Sequence, residues 1–179
     1  MDVLKNEPFV WLDLEMSGLD PRRHTILEIA CVVTDGDLKV LSEMQNIVIK
    51  HDQKVLQEMD KWCTEQHYKS GLLDQVNKSE TSLSKAEEET LRFLKKFCKD
   101  SKSPLCGNSI WVDRLFLKKY MPKLEQFFHY RNIDVSSIKE LAVRWAGLKF
   151  EKKESHRALD DVYESIEELK FYRNNFFKM

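Results

Sequence analysis

A short apolar segment near the start of the chain carries two acidic side chains, and this combination most constrains how the chain can fold. Residues 9–21 read FVWLDLEMSGLDP, and the apolar run predicts a buried strand over residues 9–15. Alternate residues of a strand share a face, so Asp13 and Glu15 point the same way. Because an unpaired buried carboxylate costs several kcal/mol or more, these two acids need either solvent or a cation.

A divalent cation would remove the repulsion between the two carboxylates. Mg²⁺ prefers oxygen ligands, and proteins usually hold it with one or two carboxylates together with substrate phosphates. A D-x-E pattern on its own favours the simpler interpretation, in which the strand runs into solvent and its acids are exposed. The choice depends on which other polar residues the fold brings to the same place.

Two later segments add acids and a histidine. Asp113 follows the loop 107–109 at a predicted strand-to-helix junction, where a side chain is either a helix cap or a ligand above the sheet edge. The segment SHRALDD supplies His156, Asp160 and Asp161. Asp161 lies about 115° and Asp160 about 145° from the centre of the apolar stripe of the following helix, which favours Asp161 weakly. A lone histidine before a helix is more often structural or exposed than catalytic.

Length and composition favour one α/β domain. The chain has 179 residues, of which 42% are hydrophobic and 33% charged, as expected for a globular protein with one sizeable core. Residues 9–15, 25–34 and 38–50 predict three strands in an antiparallel meander. Two strand–helix alternations follow, beginning at the short strands PLC and NIDV. This order predicts a mixed β-sheet flanked by α-helices.

Capping signals predict where several helices begin and end. Asp60 is a good cap for a helix that stops at Gly71. Two capping boxes predict further helix starts, Ser84 with Glu87 for a helix over 84–99, and Ser137 with Glu140 for a helix that ends at Gly147. The last helix is predicted over residues 157–173.

The charge balance limits the size of any nucleic-acid partner. The formal net charge is −1, whereas proteins that grip long nucleic acids usually have a strongly basic surface. A short fragment with few phosphates remains compatible with this balance.

Cysteine usage and the absence of targeting signals predict a cytoplasmic protein. Four cysteines without paired spacing and without an export signal favour reduced thiols. A mitochondrial pool stays open, since a leader could be missing from this chain. Cys63 and His67 have the spacing of half a zinc site, but without a second pair structural zinc is disfavoured. No apolar run approaches the roughly 20 residues that span a bilayer, so no membrane partner is expected.

Four segments, WLDLEMSGLDP, CGNSIWVDRLFLKKYMP, HYRNIDVSSIKELAVRW and SHRALDDVYESIEELKFYR, occur in this order over nearly the whole chain. They resemble the successive motifs of the oligoribonuclease family, small-fragment 3′→5′ RNA exonucleases of the DEDDh superfamily. The resemblance implies an RNase H-like α/β fold in a single domain over 1–179, and a homodimer. It also implies two divalent ions, Mg²⁺ or Mn²⁺, and a substrate of very short single-stranded RNA, especially dinucleotides, cut to 5′-mononucleotides.

The resemblance also assigns the reacting groups. The four metal-binding and catalytic acids correspond to Asp13, Glu15, Asp113 and Asp161, and the catalytic histidine corresponds to His156. The choice of Asp161 over its neighbour comes from the family pattern rather than from helix geometry. Ser17 stands where the family usually has Thr, and its hydroxyl predicts little consequence.

Seven further positions match the family's substrate contacts. Leu19 would wedge against bases, Trp62 would stack beside His67, and four residues would surround the 5′ phosphate, namely Ser109, Tyr130, Arg131 and Ser136. The resemblance further suggests that Tyr130 comes from the other subunit. From the residues alone, Trp62 could equally be a core aromatic, Ser136 an ordinary helix cap and Arg131 an exposed surface residue.

Two other functions stay open at this stage. One is a DEDDh exonuclease that trims longer RNA or DNA, which the acids and the histidine cannot distinguish. The other is a nucleic-acid-binding module that keeps the fold without turnover, which the complete set of acids disfavours.

Overall fold

Five strands form one mixed sheet in the part of the chain that this computed structural model describes, residues 7–151 and 157–177. They are β1 (Phe9–Met16), β2 (Ile26–Thr34), β3 (Val40–Val48), β4 (Leu105–Gly107) and β5 (Asn132–Asp134). Their order across the sheet is β3-β2-β1-β4-β5. The first three strands pair antiparallel, whereas β4 runs parallel to β1 and β5 parallel to β4. The predicted meander and mixed sheet are confirmed.

Helices pack on both faces of this sheet. They are α1 (Gln53–Gln57), α2 (Lys61–Lys69), α3 (Leu72–Lys78), α4 (Leu83–Leu94), α5 (Trp111–Tyr120), α6 (Pro122–Phe127), α7 (Val135–Ala146) and α8 (Ala158–Asn175). One core joins the sheet to α4, α5 and α6, and a second joins it to α7 and α8. Every residue of β2 is buried because the sheet is covered on both sides.

The side chains of β1 alternate between these two cores. Val10, Leu12 and Leu14 belong to the core formed with α4 to α6, whereas Trp11 belongs to the core formed with α7 and α8. Asp13 and Glu15 follow Trp11 at two-residue intervals and therefore face the α8 side. Because side chains alternate along β1, both acids face the last helix, α8.

The helix ends agree with the sequence prediction at two places. The Asp60 side chain accepts a hydrogen bond from the backbone N–H of Cys63 at 2.8 Å, which confirms the cap of α2. Gly147 ends α7 with a φ of 64°, a left-handed conformation that glycine adopts without penalty.

The capping box predicted for Ser84 and Glu87 is wrong. Ser82 caps α4 and accepts from the N–H of Lys85 at 3.2 Å. Glu87 is buried, and its Oε1 accepts from the N–H groups of Lys123 and Leu124 at 2.7 and 3.1 Å. Its carboxylate therefore satisfies the start of α6 rather than the start of its own helix.

The box predicted for Ser137 and Glu140 is also wrong. Asp134 caps α7, and its Oδ1 accepts from the N–H of Ser136 at 3.0 Å. The Ser137 hydroxyl donates to Asp134 Oδ2, and Glu140 pairs with Arg144 one turn later.

Among the described helices, none combines the length and the apolar character needed to traverse a bilayer.

Candidate active site

Three carboxylates meet where β1 ends beside the first turn of α8. Asp13, Glu15 and Asp161 each offer an oxygen atom, and these atoms all lie within 4.8 Å of one another. All three residues are half-buried, whereas the adjacent Asp160 is exposed. The three residues, here called the acid cluster, share this position because the polar face of β1 is turned toward α8.

Asp113 borders the acid cluster from another element. It is buried in the first turn of α5, and its Oδ1 accepts from the backbone N–H of Leu14 at 3.0 Å. Burial raises the pKa of Asp113 to about 7, although hydrogen bonds from backbone N–H groups oppose the shift. The carboxylate is therefore fixed to the peptide between the two β1 acids.

Crowding of negative charge changes the acidity of the acid cluster. Burial, followed by the charges of Asp161 and Glu28, raises the pKa of Glu15 to about 8, and Arg157 partly opposes this. The folded chain thus resists ionising Glu15 unless positive charge is supplied. A divalent cation is the species that three converging carboxylates attract most strongly.

Glu28 and Arg157 support the acid cluster and were missed at the sequence level. Glu28 lies opposite Glu15 in the β1–β2 ladder and is fully buried. It accepts from Arg157 Nη2 at 2.6 Å, from Arg157 Nε at 3.3 Å and from the N–H of Ala158 at 3.0 Å. This pair anchors the start of α8 and so sets the position of Asp161. The sequence does contain an indication of Glu28, because this acid interrupts the apolar run ILEIACVV in the same way that Asp13 and Glu15 interrupt β1.

His67 approaches the acid cluster from α2. Its ring is buried, with Nε2 2.8 Å from the carbonyl oxygen of Met16 and Nδ1 3.8 Å from Glu15 Oε2. The side chain thus lies between the end of β1 and α2. In this arrangement it is turned toward the acid cluster rather than toward solvent.

Two exposed apolar side chains flank the same region. Leu19 is 72% exposed on the turn after β1, and Trp62 is 59% exposed in the first turn of α2. The turn requires Gly18, whose φ is +153° and where an added Cβ would lie 2.4 Å from the His24 ring. The Ser17 hydroxyl oxygen accepts from the N–H of Thr25 at 3.0 Å and closes this turn.

Ser109 and Ser136 come together at the neighbouring strand ends. Their hydroxyl oxygens are 3.2 Å apart, and the N–H of Ser109 donates to Ser136 Oγ at 3.0 Å. They follow β4 and β5, which run parallel to β1. Both serines therefore lie at the carboxyl-terminal ends of the strands, where the acid cluster also lies.

Tyr130 and Arg131 lie at the amino-terminal end of β5, away from the strand ends that carry the acid cluster. They precede β5, whose first residue Asn132 is level with Leu105 of β4 and, through it, with Val10 at the start of β1. Glu15 is five residues further along β1, which corresponds to roughly 16 Å. Tyr130 is 73% exposed, and the Arg131 guanidinium carbon lies 5.3 Å from the centre of its ring. Within one chain, the three residues of β5 separate this pair from Ser136.

His156 lies outside the described residues. It directly precedes Arg157, the residue that Glu28 anchors.

Comparison with known proteins identifies the family. Residues 10–169 match the family model described as Exonuclease. The chain is 55% identical over 171 residues to an oligoribonuclease of Hydrogenovibrio crunogenus, covering 94% of this chain and 93% of the relative. It is 51% identical over 175 residues to an oligoribonuclease of Marinobacter nauticus, covering 95% of this chain and 96% of that one. The chain belongs to the oligoribonuclease family.

The fold of this family member is also similar to the folds of solved exonuclease structures. E. coli exonuclease I in a complex with single-stranded DNA and zinc superposes with a TM-score of 0.70 at 16% identity, over 96% of this chain and 41% of that one. Exonuclease I of Methylocaldum szegediense gives a TM-score of 0.68 at 19% identity, over 94% of this chain and 41% of that one. The chain thus spans about two fifths of the length of these exonucleases, and the RNase H-like fold expected from the sequence is confirmed.

The raised pKa of Glu15 predicts how the stability of this family member depends on pH. Between pH 4.5 and about 8 the folded chain binds more protons at Glu15 than the unfolded chain does, so the free energy of unfolding decreases as pH rises through this range. In EDTA, we expect Glu15 to contribute a decrease of roughly 2–4 kcal/mol from pH 5 to pH 8, measured by urea unfolding, and Asp113, whose pKa is raised to about 7, to add to it. Glu15→Gln should remove the part due to Glu15 and leave the part due to Asp113, and Mn²⁺ at pH 8 should restore stability to the wild type. Equal pH dependence in the two proteins would contradict this origin.

The Glu28–Arg157 pair gives a second prediction about stability. Arg157→Met leaves the buried Glu28 carboxylate without its cation, which should lower the free energy of unfolding by roughly 3–5 kcal/mol. The double variant Glu28→Gln/Arg157→Met removes both charges and should lose clearly less. Urea denaturation of the three proteins at one pH measures the difference. A double variant as unstable as the single one would show that the ion pair does not anchor α8.

Proposed function

We propose that the chain is a 3′→5′ exoribonuclease that hydrolyses very short RNA, especially dinucleotides, to 5′-mononucleotides and so completes RNA turnover. The observation that carries the proposal is the acid cluster, three carboxylates with oxygens within 4.8 Å of one another, in a member of the oligoribonuclease family. The two serines at the same sheet edge provide hydroxyl groups for a phosphate beside it.

The donor set of the acid cluster fits hard divalent cations. It consists of carboxylate oxygens alone, which suit Mg²⁺ and Mn²⁺ better than softer metals. We propose that two such ions bind, with Asp13, Glu15 and Asp161 as direct ligands. Asp113, held by the N–H of Leu14, would contribute its second oxygen directly or through water. When bound, ions of this kind lower the pKa of a water molecule and stabilise charge on the leaving 3′ oxygen.

His156 is the proposed general base. It would take the proton from the attacking water, because an imidazole has its ordinary pKa near the working pH. The anchoring of Arg157 by Glu28 supports this role, since it holds the next residue of the chain beside the acid cluster. Because only the unprotonated imidazole can accept a proton, activity is expected to increase from slightly acidic toward alkaline pH.

The exposed apolar residues around the acid cluster suit single-stranded RNA. We propose that Leu19 separates bases and that Trp62 stacks on one of them, with His67 supporting this side of the site. Unpaired bases offer their faces to such side chains, whereas a duplex does not.

Substrate length would be limited by binding of the 5′ phosphate. We propose that Ser109 and Ser136 bind this phosphate together with Tyr130 and Arg131 of a second copy of the chain. An arginine can bind phosphate with two parallel hydrogen bonds, and a fully enclosed 5′ end leaves no path for further nucleotides.

We propose that the working form is a homodimer. Tyr130 and Arg131 precede β5 whereas Ser136 follows it, and this placement supports a second copy supplying the pair to the two serines. Exposed apolar side chains on α5 and α7 support association of copies, and they are Trp111, Leu115, Leu141 and Trp145. A cytoplasmic location and one domain over 1–179 stay predictions.

An exonuclease for longer strands is the second candidate, because E. coli exonuclease I with the same fold was crystallised with single-stranded DNA. The formal net charge of −1 argues against an extended phosphate-binding path on this chain. A binding module without turnover is disfavoured by the intact acid cluster.

A substrate-length series distinguishes these functions. With Mg²⁺ or Mn²⁺ and 5′-labelled oligoribonucleotides of two to ten units, we expect the dinucleotide to disappear fastest. Asp13→Asn, checked for folding by circular dichroism, should lower turnover by at least about 100-fold because a metal ligand is lost. Preference for long strands would support the second candidate, and binding without cleavage would support the module.

Mixing two inactive variants tests whether Tyr130 acts across subunits. Asp13→Asn and Tyr130→Ala should each be impaired alone. After co-refolding, half of the dimers should be mixed, and each mixed dimer should contain one complete site, giving about one quarter of wild-type activity. Asp13→Asn mixed with Asp161→Asn is the matched control and should regain nothing, since both acids belong to one chain's cluster. No recovery in the first mixture would place Tyr130 in the site of its own chain.

A further inference from the structure

Asn108 connects the two serines to the last helix. Its Nδ2 donates to Ser165 Oγ at 2.8 Å and to Glu168 Oε2 at 3.0 Å, both on α8. Its Oδ1 accepts from Ser136 Oγ at 3.0 Å. Asn108 was not singled out by its sequence position, which lies between β4 and α5.

The orientation of this amide follows from its partners. Glu168 is fully buried, and its other oxygen faces Lys139 at 3.7 Å and accepts from the Tyr172 hydroxyl at 3.3 Å, as expected of a carboxylate. The Ser165 hydroxyl donates to the carbonyl oxygen of Asp161 at 2.9 Å, so its oxygen is left to accept. Two acceptors must face the NH₂ group of Asn108, and its oxygen must therefore face Ser136.

This orientation determines the roles of the two serine hydroxyls. The single hydroxyl proton of Ser136 is taken by Asn108 Oδ1, which can only accept. Ser136 Oγ then accepts from the N–H of Ser109 at 3.0 Å, and this N–H is shared with Asp134 Oδ1, also at 3.0 Å. In the 3.2 Å contact between the hydroxyls, Ser109 must consequently be the donor. The Ser109 proton is directed at a hydroxyl oxygen that already accepts one hydrogen bond, and an anion would attract it more strongly.

We propose that Asn108 is a positioning residue that makes Ser109, rather than Ser136, the hydroxyl donor to the substrate's 5′ phosphate. This inference rests on the proposed function and deepens its account of substrate recognition. Ser136 acts as the fixed acceptor that orients Ser109. Through Ser165 and the carbonyl of Asp161, the same hydrogen bonds join the phosphate site to the turn of α8 that carries a member of the acid cluster. The spacing between the 5′ phosphate and the reacting linkage is thereby held by the fold.

The test compares cleavage of a 5′-phosphorylated dinucleotide with that of the same dinucleotide bearing a 5′ hydroxyl. The measured quantity is the ratio of the two kcat/KM values, which general damage to the fold would leave largely unchanged because it affects both substrates. Ser109→Ala should lower this ratio at least tenfold. Asn108→Leu should also lower it, though by less than Ser109→Ala does, because Ser136 is then free to rotate and to donate its own proton. Ser136→Ala should likewise lower it by less than Ser109→Ala does, because the acceptor that orients Ser109 is lost while the donor remains. Exposed Asn174→Leu is the matched control for the asparagine change.

The outcomes separate this inference from the function on which it rests. A ratio that falls more in Ser136→Ala than in Ser109→Ala would overturn the assignment of the donor. An unchanged ratio in Asn108→Leu would overturn the positioning role. A wild-type enzyme that cleaves both dinucleotides equally well would reject phosphate donation while leaving the exonuclease intact. Failure of the wild type to cleave either dinucleotide would instead reject the proposed function, and the inference with it.

Discussion

Electrostatic repulsion within the acid cluster is the constraint on which the rest of the structure depends. Asp13, Glu15 and Asp161 are held close enough that burial and mutual charge raise the pKa of Glu15 to about 8. A sequence selected for stability alone would separate such groups or pair each one with a base. Their convergence is the arrangement that binding of a divalent cation requires.

The surrounding structure holds these carboxyl groups in place. The buried pair of Glu28 and Arg157 fixes the start of α8, and Asp113 is bonded to the peptide of Leu14 within β1. Both contacts join separate elements near the place where the carboxyl-terminal ends of β1, β4 and β5 lie side by side. Parallel strands bring their carboxyl ends together, which is why polar residues far apart in the chain meet there.

The sequence predicted well what depends on short-range periodicity. The alternation of β1 placed Asp13 and Glu15 on one face, and the turn at residues 35–37 predicted the antiparallel meander. Capping was predicted less well, because a side chain suited to a local cap can be taken by a distant partner. Glu87 has the sequence of a capping box, yet two N–H groups of α6 bind it.

The remaining differences between the sequence prediction and the structure concern contacts between residues that are far apart in the chain. Tyr130 and Ser136 are six residues apart in sequence, but they lie at opposite ends of the intervening strand β5. The roles of Glu28 and Asn108 could not be predicted because they depend on partners on α8, which lie 57 and 60 residues along the chain from Asn108 and 130 residues from Glu28. A local sequence pattern does not predict such long-range contacts, although an acid within an apolar strand indicates that the residue has a partner.

Anomalous diffraction from crystals grown with Mn²⁺ and a dinucleotide would test the central claim most directly. The account predicts two strong anomalous peaks, roughly 4 Å apart, in contact with the carboxylate oxygens of Asp13, Glu15 and Asp161. A map without a peak among these residues, at Mn²⁺ concentrations that support cleavage, would contradict it.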